Sequence, residues 1–237
     1  MSKHRNGLLP RTERGIIKLE YKPLQAVAYD RLLNMVQNRE LEFDKIYSET
    51  KIARDFEISR TPMRDALNRL ANERYIDILP NRGFQLHKST RADVYEAYHA
   101  RSAIEGYCGR ILAGDAVQAR AKMHVQRMQE LTCAQAEMIQ NSEMDLRDYW
   151  NCDLEFHRSM IDYMNVPAFA QQFNSFMHFF MAHYVKDYRK LSREHSTVEE
   201  HQRIIDALKA GDVESACRCI QFHLDQTLHI TLQSLDN

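Results

Sequence analysis

The first feature that could do chemistry is a carboxylate four residues before an imidazole, Asp153 and His157, in the segment Asp-Leu-Glu-Phe-His. Residues at i and i+4 leave the same face of a helix, so both side chains could bind one metal ion. The alternative interpretation is an ordinary pair of neighbours on a helix surface. The pair by itself does not decide between the two.

Two further histidines lie beside apolar residues in later predicted helices: His201 precedes Ile204, and His223 precedes Leu224. Each of them could be a hydrogen-bonded core residue. If both converged with the first pair, the four side chains would form an Asp-His-His-His site of the kind that facing helices build in a bundle. Such a site leaves one or two coordination positions for water or for an oxygen of a ligand.

A second feature is residues 58–67, Ile-Ser-Arg-Thr-Pro-Met-Arg-Asp-Ala-Leu, which are typical of a helix start. Thr61 suits an N-cap and Pro62 the first helical position. Two arginines four apart lie together near this start, where they could contact guanine edges or phosphates in a major groove. The alternative is a surface helix with solvated arginines. The candidate DNA contacts here are Ser59, Arg60, Thr61 and Arg64.

The flanking segments favour the DNA-binding interpretation. A short helix capped by Ser48 is predicted over 48–56, and an amphipathic stretch before it supplies a first helix. Alternating residues predict strands at 75–79 and 84–87 joined by a turn. This order predicts a winged helix-turn-helix domain over residues 21–88. The candidate contacts at the tip of the wing are Asn81, Arg82 and Gly83.

The charge distribution agrees with a nucleic-acid partner for the N-terminal part. Through Arg91 there are 18 Lys+Arg against 12 Asp+Glu, a net charge of +6. Subtraction from the totals of 32 and 33 leaves 14 against 21, a net charge of −7, for residues 92–237. Basic surfaces suit polyanions because phosphate contacts dominate nucleic-acid affinity. Residues 1–20 are predicted to be a flexible basic arm.

The composition predicts a chain that can bury one substantial hydrophobic core and a smaller second one. It has 237 residues, of which 44% are hydrophobic, and neither a bilayer-spanning apolar run nor a signal-peptide pattern is evident. The five cysteines are odd in number and lack the spacing of a disulfide framework. Reduced thiols, and hence a cytoplasmic location without a membrane partner, are therefore expected.

The acidic part, residues 92–237, is predicted to be an all-helical bundle, which makes the whole chain mostly α. Ser196 begins a segment with capping-box spacing, and Asp212 can cap the final helix after Gly211. The helices are predicted at 92–113, 115–140, 144–164, 167–191, 197–210 and 212–235.

These motifs resemble a known family. Residues 58–67 resemble the recognition segment of the GntR family of transcriptional regulators. Residues 200–212, with Ala216, Ile220 and the pair 223–224, resemble the FCD ligand-binding domain of that family's FadR subgroup. With the Asp153-x-x-x-His157 pair, the resemblance covers roughly residues 21–232.

The resemblance implies a bacterial regulator that binds an inverted-repeat operator as a homodimer, with DNA affinity controlled by a small organic acid. It also implies that four residues bind a divalent ion such as zinc, nickel or manganese, beside or in contact with the effector. Arg101, on the first helix of the C-terminal part, could bind the effector carboxylate. Its alternative role is a helix salt bridge with Glu105. The implied metal ligands are Asp153, His157, His201 and His223.

Two other classes of function use the same residues. A metal site with an open position could activate water in a metallohydrolase. No further base or nucleophile is marked by a motif, so we expect no enzyme. Alternatively, the metal could be purely structural in a DNA-binding protein, in which case DNA affinity would not depend on a small molecule.

Overall fold

The computed structural model describes residues 22–38, 40–140, 145–177 and 193–235. The predicted arm over residues 1–20 lies outside the described residues. The chain divides into two compact units, Met1–His87 and Lys88–Asn237. Within the described ranges, no helix combines the length and apolar character needed to cross a membrane.

The described part of the N-terminal unit contains three helices and a two-stranded sheet. These elements are α1 (Leu24–Gln37), α2 (Glu49–Asp55), α3 (Arg60–Asn72), β1 (Ile76–Leu79) and β2 (Gly83–Leu86). The strands are antiparallel, with Ile76 opposite Leu86. One face of α3 is buried through Met63, Leu67 and Leu70 against the rest of this core. The predicted order of a winged helix-turn-helix is therefore confirmed.

The predicted start of α3 was two residues late. Ser59 is the N-cap and Arg60 the first helical residue, so Thr61 and Pro62 lie inside the first turn. Proline is tolerated at this position because the first four N–H groups of a helix have no intrahelical acceptor. The predicted cap of α2 is confirmed, since the Ser48 side chain accepts a hydrogen bond from the backbone N–H of Lys51.

Gly83 is required by the wing itself. Its φ is +122°, and a Cβ at this position would lie 2.1 Å from the carbonyl oxygen of Tyr47, which pairs with Phe84 as an isolated antiparallel bridge. We predict that Gly83→Ala will lower the free energy of unfolding by about 1–3 kcal/mol for backbone strain alone. The measurement is urea denaturation followed by circular dichroism.

The control for this prediction is Gly106→Ala, because a Cβ at Gly106 meets no atom within 4 Å. That change should stabilise the helix Arg91–Gly114 (α4) by about 0.5–1 kcal/mol. A Gly83→Ala midpoint equal to that of the parent would show that the wing relaxes without cost.

The C-terminal unit is a bundle of helices around a second core. The helices are α4 (Arg91–Gly114), α5 (Ala119–Ile139), α6 (Leu146–Asp162), α7 (helical over the described residues 167–177), α8 (Arg193–Ala210) and α9 (Val213–Leu235). They pack in the pairs α4–α9, α5–α6, α8–α9 and α5–α8. Gly109 permits close approach of α4 to α9, since a Cβ there would lie 2.1 Å from Cδ1 of Ile220.

Two predicted helix starts in this unit were wrong. The helix predicted from residue 115 begins at Ala119, because Asp115 accepts a turn hydrogen bond from the backbone N–H of Gln118. Ser196 lies within α8 and is not its cap. By contrast, Asp212 does cap α9, accepting a hydrogen bond from the backbone N–H of Ser215.

Candidate metal centre and nucleic-acid interface

Three helices of the C-terminal unit bring the four predicted ligands together. Asp153 and His157 lie on α6, His201 on α8 and His223 on α9, and each residue is at most 6% exposed. The Nε2 atoms of His157 and His223 are 3.2 Å apart. One ligand atom from each of the three histidines lies within 4.8 Å of the others. The imidazoles thus converge on a single point.

The Asp153 carboxylate faces the same point. Its Oδ1 lies 3.5 Å from Nε2 of His201, and its Oδ2 lies 3.9 Å from Nε2 of His157. Phe156 packs flat on the His201 ring, with 3.7 Å between the ring centroids, and holds that ring in place. Three imidazole nitrogens and one carboxylate are a donor set that suits a divalent transition metal.

The outward nitrogen of each imidazole faces a second polar side chain. Nδ1 of His157 lies 2.7 Å from Oε2 of Glu105 on α4. Nδ1 of His223 lies 2.9 Å from Oε2 of Glu200, on α8. The remaining histidine, His201, has its Nδ1 3.1 Å from Oε1 of Gln135 on α5. The three Nε2 atoms are therefore the ones that face inward.

None of these three partners was predicted from the sequence to belong to the site. Glu105 was predicted only as a possible salt-bridge partner of Arg101, and Glu200 was only the first residue of the segment that resembles the FCD domain. Gln135 lies in no motif. The one available signal for a partner was Glu105, which follows an inward arginine at helical spacing. That spacing did not indicate which histidine the glutamate contacts.

Burial controls the charges of the site. Burial, assisted by the neighbouring His223 and His157, lowers the pKa of His201 well below its ordinary value, which keeps that imidazole neutral. Burial also raises the pKa of Asp153. Although burial opposes ionisation of Glu105, the adjacent Arg101 and His157 lower the pKa of its carboxyl.

An unsatisfied atom marks the centre of the cluster. Nε2 of His201 is buried and makes no hydrogen bond to any part of the chain that the structure describes. Nδ1 of His157 and Oε2 of Glu105 are also buried without a hydrogen bond there, but they face each other at 2.7 Å as an ion-pair contact. Buried polar atoms are costly without a partner, and those that occur often mark a site for an ion or a catalytic role. Because Nε2 of His201 faces the two other imidazoles and the carboxylate, the residues present fit a metal ion.

Arg101 forms the ion pair with Glu105 that was one of its two predicted roles. Its Nε lies 2.6 Å from Oε1 of Glu105, and both residues are buried. The guanidinium carbon lies 5.9 Å from the centroid of the Phe173 ring on α7. Arg101 is thus joined through Glu105 to His157, while contact with an effector stays a prediction.

The start of α3 presents the predicted DNA contacts on its surface. Ser59, Arg60, Thr61 and Arg64 are all exposed. Nε of Arg64 lies 3.5 Å from Oε1 of Glu49 on α2, which orients that arginine. In the wing, Asn81 and Arg82 are exposed, and Asn81 has a φ of +60° that completes the turn. Contact of these residues with DNA stays a prediction.

Models of known protein families match both units of the chain. The model of the FCD domain matches residues 96–226, and that of bacterial regulatory proteins of the gntR family matches residues 24–86. Together the two matches extend over both units and include every candidate residue named above.

Two relatives of low sequence identity are also transcriptional regulators by name. An uncharacterized HTH-type transcriptional regulator of Bacillus subtilis, YdhC, is 23% identical over 200 residues, which cover 83% of this chain and 86% of YdhC. A probable D-xylose utilization operon transcriptional repressor of Paenarthrobacter nicotinovorans is 26% identical over 186 residues, or 78% of this chain and 79% of the repressor.

Solved structures share the fold. McbR/YncC of Escherichia coli superposes with a TM-score of 0.69 at 18% identity, covering 90% of this chain and 99% of that one. A GntR-type putative transcriptional regulator from a Rhodococcus species gives a TM-score of 0.70 at 20% identity, covering 88% and 97% of the two chains. At this level of identity, the likeness concerns the fold alone.

Proposed function

Because the chain belongs to the GntR family of bacterial transcriptional regulators and carries an FCD domain, we propose that a divalent metal and a small organic acid control its binding to operator DNA. The observation that carries this proposal is the convergence of Asp153, His157, His201 and His223 in the buried centre of the FCD domain. Zinc, nickel and manganese are the candidate ions. The relatives are regulators of transcription and not enzymes, so the metal is proposed to bind ligands and not to hydrolyse substrates.

The metal would supply a fixed positive charge in the buried centre of the bundle. An anionic effector is favoured by such a charge, and Arg101 provides a second cation on α4, joined to the metal ligand His157 through Glu105. A carboxylate that bound at this place would contact residues from several helices at once. Burial strengthens these interactions because the local dielectric constant is low.

Regulation requires that the effector bind two arrangements of the protein unequally. Five helices form the centre, since α4, α5, α6, α8 and α9 supply Arg101, the ligands or their partners. An effector that ties these helices together stabilises one arrangement of the bundle. We propose that this arrangement sets the affinity of a homodimer for an inverted-repeat operator, since a two-fold dimer reads a two-fold site.

The only tryptophan of the sequence, Trp150, offers a direct readout of effector binding. It is 4% exposed and lies on α6, three residues before Asp153. We predict that titration of the metal-loaded protein with the correct acid will change Trp150 fluorescence, because its surroundings report movement of α6. The measurement is a fluorescence titration with a panel of mono-, di- and tricarboxylic acids.

The regulatory part of the proposal is tested with operator DNA selected from genomic fragments by the purified protein. Binding is titrated with and without each acid that changes the fluorescence of Trp150. An acid that alters operator affinity at least fivefold supports the proposal. Metal binding that stabilises the fold while no acid changes DNA affinity would instead identify a purely structural metal.

A further inference from the structure

We propose that Glu105, Gln135 and Glu200 position the metal ligands of this protein. They hold the Nδ1 proton on the three histidines, and Gln135 also orients the Asp153 carboxylate. This inference rests on the proposed metal centre and goes beyond its four ligands. None of the three side chains would contact the ion itself.

The first step of the argument is the direction of each imidazole. The Nδ1 atoms of His201 and His223 form hydrogen bonds with a side-chain oxygen, at 3.1 and 2.9 Å, and Nδ1 of His157 lies 2.7 Å from Oε2 of Glu105 as an ion-pair contact. An imidazole whose Nδ1–H faces an acceptor keeps its Nε2 lone pair free for a metal. Since the three Nε2 atoms are the ones that converge, the outer oxygens select the tautomer that a metal needs.

The second step is that the three partners belong to helices other than those of the histidines they face. Glu105 on α4 faces His157 on α6, Gln135 on α5 faces His201 on α8, and Glu200 on α8 faces His223 on α9. Each contact therefore ties two helices together and sets the position of a ring across a helix interface. The partners determine both the tautomer and the separation of the ligands.

Gln135 has a role that a carboxylate could not fill. Its Oε1 accepts from His201, while its Nε2 lies 3.5 Å from Oδ1 of Asp153 and 3.4 Å from the carbonyl oxygen of Tyr149. An amide can accept from an imidazole and donate to a carboxylate at the same time. A glutamate here would face the Asp153 carboxylate with a like charge, so Gln135→Glu is expected to weaken the site.

For Glu105 and Glu200 the informative change is from glutamate to glutamine. A glutamine at either position can still accept from Nδ1–H through its amide oxygen, but it lacks the negative charge that makes the imidazole a stronger donor to a metal. Removal of such a partner typically lowers metal affinity about 10- to 100-fold. We therefore expect a loss of that size for zinc in Glu105→Gln and Glu200→Gln, and also in Gln135→Glu.

The test is a zinc affinity measurement by competition with a chromophoric chelator, on the full-length parent and each variant. The matched control is Glu199→Gln, because Glu199 neighbours Glu200 on α8 but is exposed and lies near Arg203. Circular dichroism and the urea midpoint in the absence of zinc verify that each variant is folded. Zinc affinities within twofold of the parent in all three folded variants would overturn the inference.

A second measurement needs no substitution. In the zinc-loaded, ¹⁵N-labelled parent, long-range ¹H–¹⁵N spectra should show the three ligand imidazoles protonated at Nδ1 and bound through Nε2. Ligand rings protonated at Nε2 would overturn the inference even if a variant failed to fold. A parent that binds no zinc, nickel or manganese would instead refute the proposed metal centre, so the two failures are distinguishable.

Discussion

Replacement of His157 and His201 with alanine is expected to remove the metal from the purified protein. Elemental mass spectrometry should find close to one divalent ion per chain in the parent and almost none in the double variant. The expectation follows from the geometry, because the change removes two of three converging imidazoles, from α6 and α8. The metal should also stabilise the parent, by about 2.7 kcal/mol when its free concentration is 100 times the dissociation constant.

The bundle offers a matched control for this double variant. His195 on α8 and His229 on α9 are exposed, so His195→Ala with His229→Ala removes two imidazoles without touching the cluster. The control should retain the full metal content and the stabilisation by metal. Absence of metal from the parent, even after incubation with zinc, nickel or manganese, would show that the four side chains only pack and form hydrogen bonds.

Replacement of Arg60 or Arg64 with alanine is expected to weaken operator binding by about 1–3 kcal/mol if the arginine reads a base, and to relax sequence preference at that position. Both side chains are exposed at the start of α3, where the helix can enter a major groove. Arg82→Ala, at the tip of the wing, should weaken binding evenly across sequences, as loss of a phosphate contact does. Fluorescence anisotropy with operator and mismatched duplexes at fixed salt measures both effects.

The same helix supplies the control for the DNA prediction. The guanidinium carbon of Arg69 lies 3.7 Å from the centroid of the Tyr29 ring on α1, and Nε of Arg69 lies 3.0 Å from Oε1 of Glu73. Arg69→Gln removes the same charge from the side of α3 that packs against α1, so sequence preference should not change. Unchanged operator affinity in both Arg60→Ala and Arg64→Ala would refute α3 as the recognition helix.

The arrangement of side chains within a single helix or strand was predictable from the sequence. Helical periodicity placed Asp153 and His157 on one face, and residues 58–67 marked the start of an exposed basic helix. Alternation predicted the wing hairpin. In each case the spacing along the chain determines the geometry, because a helix repeats every 3.6 residues and a strand every two. The helix starts were less predictable, since Ser59 and Thr61 both suit an N-cap.

Contacts between side chains on different helices were decided by the tertiary structure. Nothing in the sequence required that His223 on α9 should face Glu200 on α8, or that Gln135 should join His201 to Asp153. The ion pair of Arg101 with Glu105 was one of two open alternatives until packing placed both residues in the core. Sequence spacing determined which side chains share a helix face; only the packing of α4, α5, α6, α8 and α9 decided which faces meet, because that depends on how all the side chains of the core fit together.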